Sequence, residues 1–113
     1  MDRNPNVIAW SSEEVVIPYK KPTTGKFHRY FMDVYMKFRD KNGIIKEAIV
    51  EIKPYDQTQQ PKKPKRKTKK WEDKATTYII NVAKWKAAKI YAKKKGWQFS
   101  ILTEKGMVNT DFL

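Results

Sequence analysis

The sequence predicts an α/β sandwich: a small mixed β-sheet with one long helix after the third strand. Three observations carry that expectation. Val15, Ile17 and Tyr19 alternate with polar or smaller neighbours, and 29–39, dense in aromatic and β-forming residues, is followed by a hairpin signal and a return strand over 44–53. Helical spacing then takes over from Trp71 or Asp73 to Lys95, and a last period-two stretch runs over 97–103. At 113 residues with 40% hydrophobic and 13% aromatic content, the chain reads as a single folded domain over 1–113.

Taken in order, Asn4-Pro5-Asn6 is a turn signal, and Met1 to Asp2 leads into it with no structure of its own. Val15, Ile17 and Tyr19 alternate in a strand expected to end near Pro18. Residues 20–26 hold Pro22, Thr23, Thr24 and Gly25, a loop. Residues 29–39 are dense in aromatic and β-forming side chains and read as one long strand. Asp40-Lys41-Asn42-Gly43 carries a hairpin signal, and 44–53 is the return strand, closed by Pro54.

The stretch 54–70 changes character. It contains Gln57, Gln59 and Gln60, then Lys62, Lys63, Lys65, Arg66, Lys67, Lys69 and Lys70. Pro61 and Pro64 deny it a regular helix, so a mobile basic loop is expected. In the helix that follows, Tyr78, Val82, Trp85 and Ala92 share a face, with Ala75, Ile79 and Ala88 beside them. Lys84, Lys93, Lys94 and Lys95 are expected to coat the opposite side, and Gly96 fits a C-terminal cap. Trp10, Trp71, Trp85 and Trp97 read as packing residues.

Composition excludes several classes of function. With no cysteine there is neither a disulfide framework nor a thiolate zinc site, and the single His28 rules out a site with two imidazoles from one chain. No apolar run is long enough to span a membrane, and no secretory pattern opens the chain. Twenty-five Lys and Arg against twelve Asp and Glu give a net charge of +13. A field of that sign attracts polyanions, which makes nucleic acid the first partner to consider. Lys62 to Lys70 would then grip the phosphate backbone, with His28 and Arg29 as further contacts.

Period-two geometry also selects a chemical constellation. Glu51 and Lys53 share one face of the return strand, with Ile52 on the other. Asp33 lies mid-strand on the partner. Met32, Val34, Met36 and Phe38 look like core, which turns Asp33 outward towards Glu51 and Lys53. Bringing Asp33 level with Glu51 is expected to need about four residues of stagger relative to a tight Asn42-Gly43 turn. Two carboxylates suit Mg²⁺, which takes hard oxygen ligands and keeps several waters; the Ile52 carbonyl is a candidate third oxygen. Lys53 would position or help deprotonate a water, or stabilise negative charge as it develops. By spacing alone the same Glu-x-Lys is an ordinary ion pair on a strand face.

The ordered set is more specific. Arg29-Tyr30-Phe31-Met32-Asp33, a hairpin, then Val50-Glu51-Ile52-Lys53-Pro54 resembles the PD-(D/E)XK nuclease superfamily. Within it the likeness is to the phage head-completion nucleases and the TnsA-type transposon-end endonucleases. Trp10-Ser11-Ser12-Glu13-Glu14 leading into Ile17-Pro18-Tyr19, the helical Lys84-Trp85 to Ala92, Gly96-Trp97 and Ile101-Leu102-Thr103-Glu104 carry it along 7–104. The resemblance implies a small restriction-endonuclease-like core and a Mg²⁺- or Mn²⁺-dependent endonuclease acting on DNA. In that likeness Asp33 and Glu51 bind metal and Lys53 is the catalytic lysine. It implies phage head completion or DNA-end processing as the setting, in the host cytoplasm or the virion, with the phage head or a second copy of the chain as partners. Such nucleases also carry an acidic residue on a helix before the first strand. Here either the N-terminus is shortened or Glu13 or Glu14 substitutes; Asp2-Arg3-Asn4-Pro5-Asn6, which reads as a helix end and exit turn, favours shortening. Two rival readings stand beside this one: a non-catalytic DNA-binding or virion protein of the same fold, and a small RNA-binding protein that stacks bases on its aromatic strands.

Overall fold

The computed structural model describes residues 6–113, so the turn and helix end read over 2–6 lie outside the described residues except for Asn6. The elements are β1 (Val7–Ser12), β2 (Val16–Lys20), β3 (Phe27–Phe31), β4 (Val34–Arg39), β5 (Ile45–Ile52), a 3₁₀ turn (Tyr55–Thr58), α1 (Lys69–Lys95), β6 (Gln98–Thr103) and β7 (Gly106–Val108). One sheet has the order β1-β4-β5-β6-β7, and β2 pairs with β3 in a separate ribbon. β5 and β6 run parallel and are joined through α1, while the remaining pairs are antiparallel. The chain therefore adopts the expected α/β class, with a mixed sheet and one long helix. No helix among the described residues is long and apolar enough to cross a membrane.

The single strand expected over 29–39 is two strands in two sheets. Its interruption falls at Met32 and Asp33, where Met32 is wholly buried. The Met32 N–H donates to the Val15 carbonyl at 2.9 Å, and its carbonyl accepts from the Glu13 N–H at 3.0 Å. Glu13 takes a left-handed φ of 58° at the same level, so both chains bend together. β1 and β4 continue into the main sheet on one side of that bend, and β2 and β3 form the ribbon on the other. β1, the short β7 and the 3₁₀ turn have no counterpart in the sequence reading.

The hairpin needs far less stagger than expected. Val34 pairs with Val50 and Arg39 with Ile45, which leaves Asp40 to Ile44 as the loop. That register differs by one position, not four, from a two-residue turn on Asn42-Gly43. The Asp40 carboxylate accepts the Asn42 and Ile44 N–H groups, each at 2.9 Å, and Gly43 takes φ 76°. Two backbone donors on one carboxylate hold the loop's length, and with it the register of everything upstream.

α1 begins two residues earlier than the earliest sequence estimate. Thr68 caps it, its hydroxyl accepting from the Trp71 N–H at 3.2 Å, so Lys69 and Lys70 belong to the helix and not to the loop. Gly96 closes it at φ 75°, with its N–H on the Ala92 and Lys93 carbonyls. Asn81, Trp85, Ala88 and Ala92 are its buried residues, whereas Ile79, grouped with the core face by periodicity, is exposed. Trp85, Ala88 and Ala92 pack on Ile17, Tyr19, Tyr30, Met32, Ile49 and Ile101, and the small alanines let the helix approach the sheet. Tyr35 and Ile49 pair across the hairpin and belong to this core, so the helix covers the face that carries Asp33 and Glu51. Met32 joins that core and Val34 is buried, but Met36 and Phe38 are only half-buried. Asp33 and Glu51 thus sit at the rim of the principal core instead of pointing away from it.

Candidate active site

Asp33 and Glu51 come level because Val34 and Val50 are partners and each carboxylate lies one residue further along. The strand break frees Asp33 from a ladder position. Its Oδ2 instead accepts the Ile52 N–H at 2.9 Å, which fixes it across the end of β5. Glu51 is 4% exposed, so a surface ion pair does not describe it. The Tyr30 hydroxyl donates to Glu51 Oε2 at 2.6 Å, and Lys53 Nζ lies 3.5 Å from Oε1. Burial pushes the Glu51 carboxyl above its ordinary range and Asp33 adds to this, while the Tyr30 hydroxyl and the Lys53 ammonium pull it back. Burial and then Glu51 lift the Tyr30 phenol far above its usual value, so it stays a donor.

The end of β5 is secured independently. The Lys53 N–H donates to the Leu102 carbonyl at 3.1 Å, and past Pro54 the Tyr55 N–H donates to the Glu104 carboxylate at 2.7 Å. Glu104 closes the resemblance at its C-terminal end, and here it pins the turn that follows the lysine. Deeper in the sheet, the Tyr35 hydroxyl donates to Glu47 at 2.7 Å, and burial together with that bond pushes the phenol up to about 12.

Two groups near the site were not singled out by periodicity. Tyr30 is one. Lys84 is the other, placed by sequence on the helix's solvent side. It is half-buried on the inner side, its ammonium 5.5 Å from the Tyr30 ring centre and 5.7 Å from that of Tyr19. The available signal was helical phase: Lys84 lies three residues after Asn81 and four before Ala88, both on the buried face.

Asp33, Glu51 and Lys53 therefore come together, and other candidates do not. His28 and Arg29 stand exposed on β3, where the imidazole packs against the Tyr19 ring at 6.1 Å. Lys62, Lys63, Lys65, Arg66, Lys67, Lys69 and Lys70 are all exposed. The loop expected to be mobile is tied back to α1 by Trp71, whose indole N–H donates to the Lys62 carbonyl at 2.9 Å. Lys67 lies over the same ring at 5.9 Å. Trp71 is thus a loop anchor, whereas Trp85 is the most deeply buried tryptophan and Trp97 packs on Tyr35 and Tyr91. Among the described residues no cluster of three or more His, Cys, Asp or Glu side chains forms, so neither Glu13 nor Glu14 joins Asp33 and Glu51 as a third carboxylate.

Two adjacent carboxylates, one of them buried and resisting ionisation, fit a divalent cation: it would relieve both the repulsion and the desolvation. The model of the TnsA-like endonuclease N-terminal family matches residues 4–104 of the chain. The chain is also similar to the head completion nuclease of Enterobacteria phage T4, at 46% identity over 111 residues, covering 95% of this chain and 71% of that protein. No solved structure matches.

Proposed function

Because the chain belongs to the TnsA-like endonuclease N-terminal family, we propose that it is a metal-dependent endonuclease that hydrolyses DNA phosphodiester bonds at Asp33, Glu51 and Lys53. The observation that carries this is the meeting of Asp33 with a buried Glu51 at the end of β5, with Lys53 at 3.5 Å. Asp33 and Glu51, together with the Ile52 carbonyl, are the oxygens that would hold Mg²⁺ or Mn²⁺. When bound, such a cation acidifies water and offsets charge on the phosphate. The Ile52 N–H and the Tyr30 hydroxyl orient the two carboxylates, a supporting layer of the kind metal sites depend on. Lys53 orients the attacking water and stabilises the negative charge that grows on the phosphate oxygens.

DNA is the substrate that suits a chain of net charge +13. The relative's name assigns it to head completion, and we place this chain in the same setting, processing DNA ends in the host cytoplasm or in the virion. The phage head and a second copy of the chain are the protein partners of that reading. The test is nicking of supercoiled plasmid. Cutting is expected with Mg²⁺ or Mn²⁺ and none with a chelator in excess; equal cutting under both conditions contradicts the proposal.

The basic segment acts as a phosphate clamp in this reading. Replacing Lys62, Lys63, Lys65 and Lys67 by glutamine should weaken binding similarly for unrelated DNA sequences. The slope of log affinity against log salt should flatten by roughly 0.9 for each phosphate that is no longer neutralised. An unchanged slope would count against the clamp.

A further inference from the structure

Lys84 occupies an unusual position for a lysine. It stands on the inner side of α1 next to Trp85, which is 0% exposed, with its ammonium over two buried tyrosine rings. Tyr30, one of those rings, is the residue whose hydroxyl holds Glu51 at 2.6 Å. Among the described residues Lys84 enters no ion pair; those formed are Lys46–Asp40, Lys53–Glu51 and Lys69–Asp73. Its charge nevertheless feels the same centre. Burial works against the ammonium, Lys53 and Lys21 repel it, and Glu51 and Asp33 favour it. Aromatic faces hold such a cation in place without satisfying its hydrogen-bonding protons, which leaves them free for an incoming anion.

We propose that Lys84 is a second lysine of the nuclease site, its ammonium contacting a non-bridging oxygen of the scissile phosphate from the helix side. This rests on the reading of Asp33, Glu51 and Lys53 given above. Charge balance agrees with the geometry. The two carboxylates and two lysines cancel, so a divalent cation leaves two positive charges. In hydrolysis the water oxygen bonds to phosphorus and its proton leaves to solvent. The five-coordinate phosphorus group then carries two negative charges, one more than the diester. The bond to one ester oxygen next breaks with its electron pair, and that oxygen takes a proton to leave as a hydroxyl. Without Lys84 the site falls one positive charge short of that intermediate, and a cation fixed beforehand acts where the charge appears.

The experiment uses the whole chain with Lys84→Met, which keeps the apolar stem and removes the charge, and with Lys84→Arg, which keeps the charge over the rings. DNA affinity is measured against salt with chelator present, and single-turnover plasmid nicking is measured with Mn²⁺. Lys84→Met is expected to flatten the salt slope by about 0.9 and to slow nicking on the order of 10²-fold. Lys84→Arg is expected to keep the slope and to restore most of the rate. A lysine that only packs would leave the slope unchanged in Lys84→Met, and that result overturns the proposal. If Lys84→Met fails to fold, a loss of slope or rate in Lys84→Arg equal to that of an unrelated core variant does the same. Lys53→Ala run alongside separates the two levels. Wild-type nicking in Lys84→Met with none in Lys53→Ala sinks the role of Lys84 alone, whereas wild-type nicking in Lys53→Ala sinks the site itself.

Discussion

Replacing Lys53 by alanine is expected to slow Mg²⁺- or Mn²⁺-dependent plasmid cleavage by on the order of 10²- to 10³-fold, the range for loss of one preorganised charge at a reacting centre. The fold should survive, because what anchors Lys53 is its backbone. Its N–H is held by the Leu102 carbonyl and the following turn by Glu104, while the side chain is 29% exposed. DNA affinity should change little, since most of the chain's positive charge lies elsewhere. Melting temperature, DNA affinity and cleavage rate measured on one preparation separate these effects. Cleavage that persists near the wild-type rate in Lys53→Ala would overturn the assigned mechanism.

The parts of this site that periodicity could reach are those set by alternation within a strand. Glu51 and Lys53 had to share a face, whereas the hairpin signal at Asn42-Gly43 only allowed Asp33 to approach them, with about four residues of stagger expected. The structure places Asp33 level with Glu51 through a register only one residue away from the tight turn. What could not be read is what depends on distant contacts. The bend at Met32 and Asp33 exists because Glu13 kinks at the same level and Met32 fills the core, and neither fact has a local signature over 29–39. Composition overrode helical phase at Lys84. A lysine on a helix reads as solvent-facing by composition, yet the faces of Tyr19 and Tyr30 make a half-buried position tolerable. The exposed Ile79 shows the same limit from the apolar side: the helix turns Asn81 inward in its place.

Glu51 sets the second large effect, and its sign differs between the metal-free and metal-bound protein. Burial raises the native pKa of Glu51 above its ordinary value of 4.5. The stability it contributes is therefore complete below that ordinary value and is lost as pH rises through the native one. Glu51→Gln removes the buried charge but keeps an oxygen for the Tyr30 hydroxyl, so the metal-free variant is expected to melt above the wild type at pH 8. Metal binding must run the other way, because the cation competes with the proton on Glu51 and wild-type affinity should rise with pH. The measurement that bears most directly on the site is calorimetric titration of Mn²⁺ into wild type, Asp33→Asn and Glu51→Gln at pH 8. One site in the wild type, weakened by at least about tenfold in each variant while both remain folded, is the expected result. Equal Mn²⁺ affinity in all three proteins would contradict it and return Glu51 and Lys53 to an ion pair at the rim of the core.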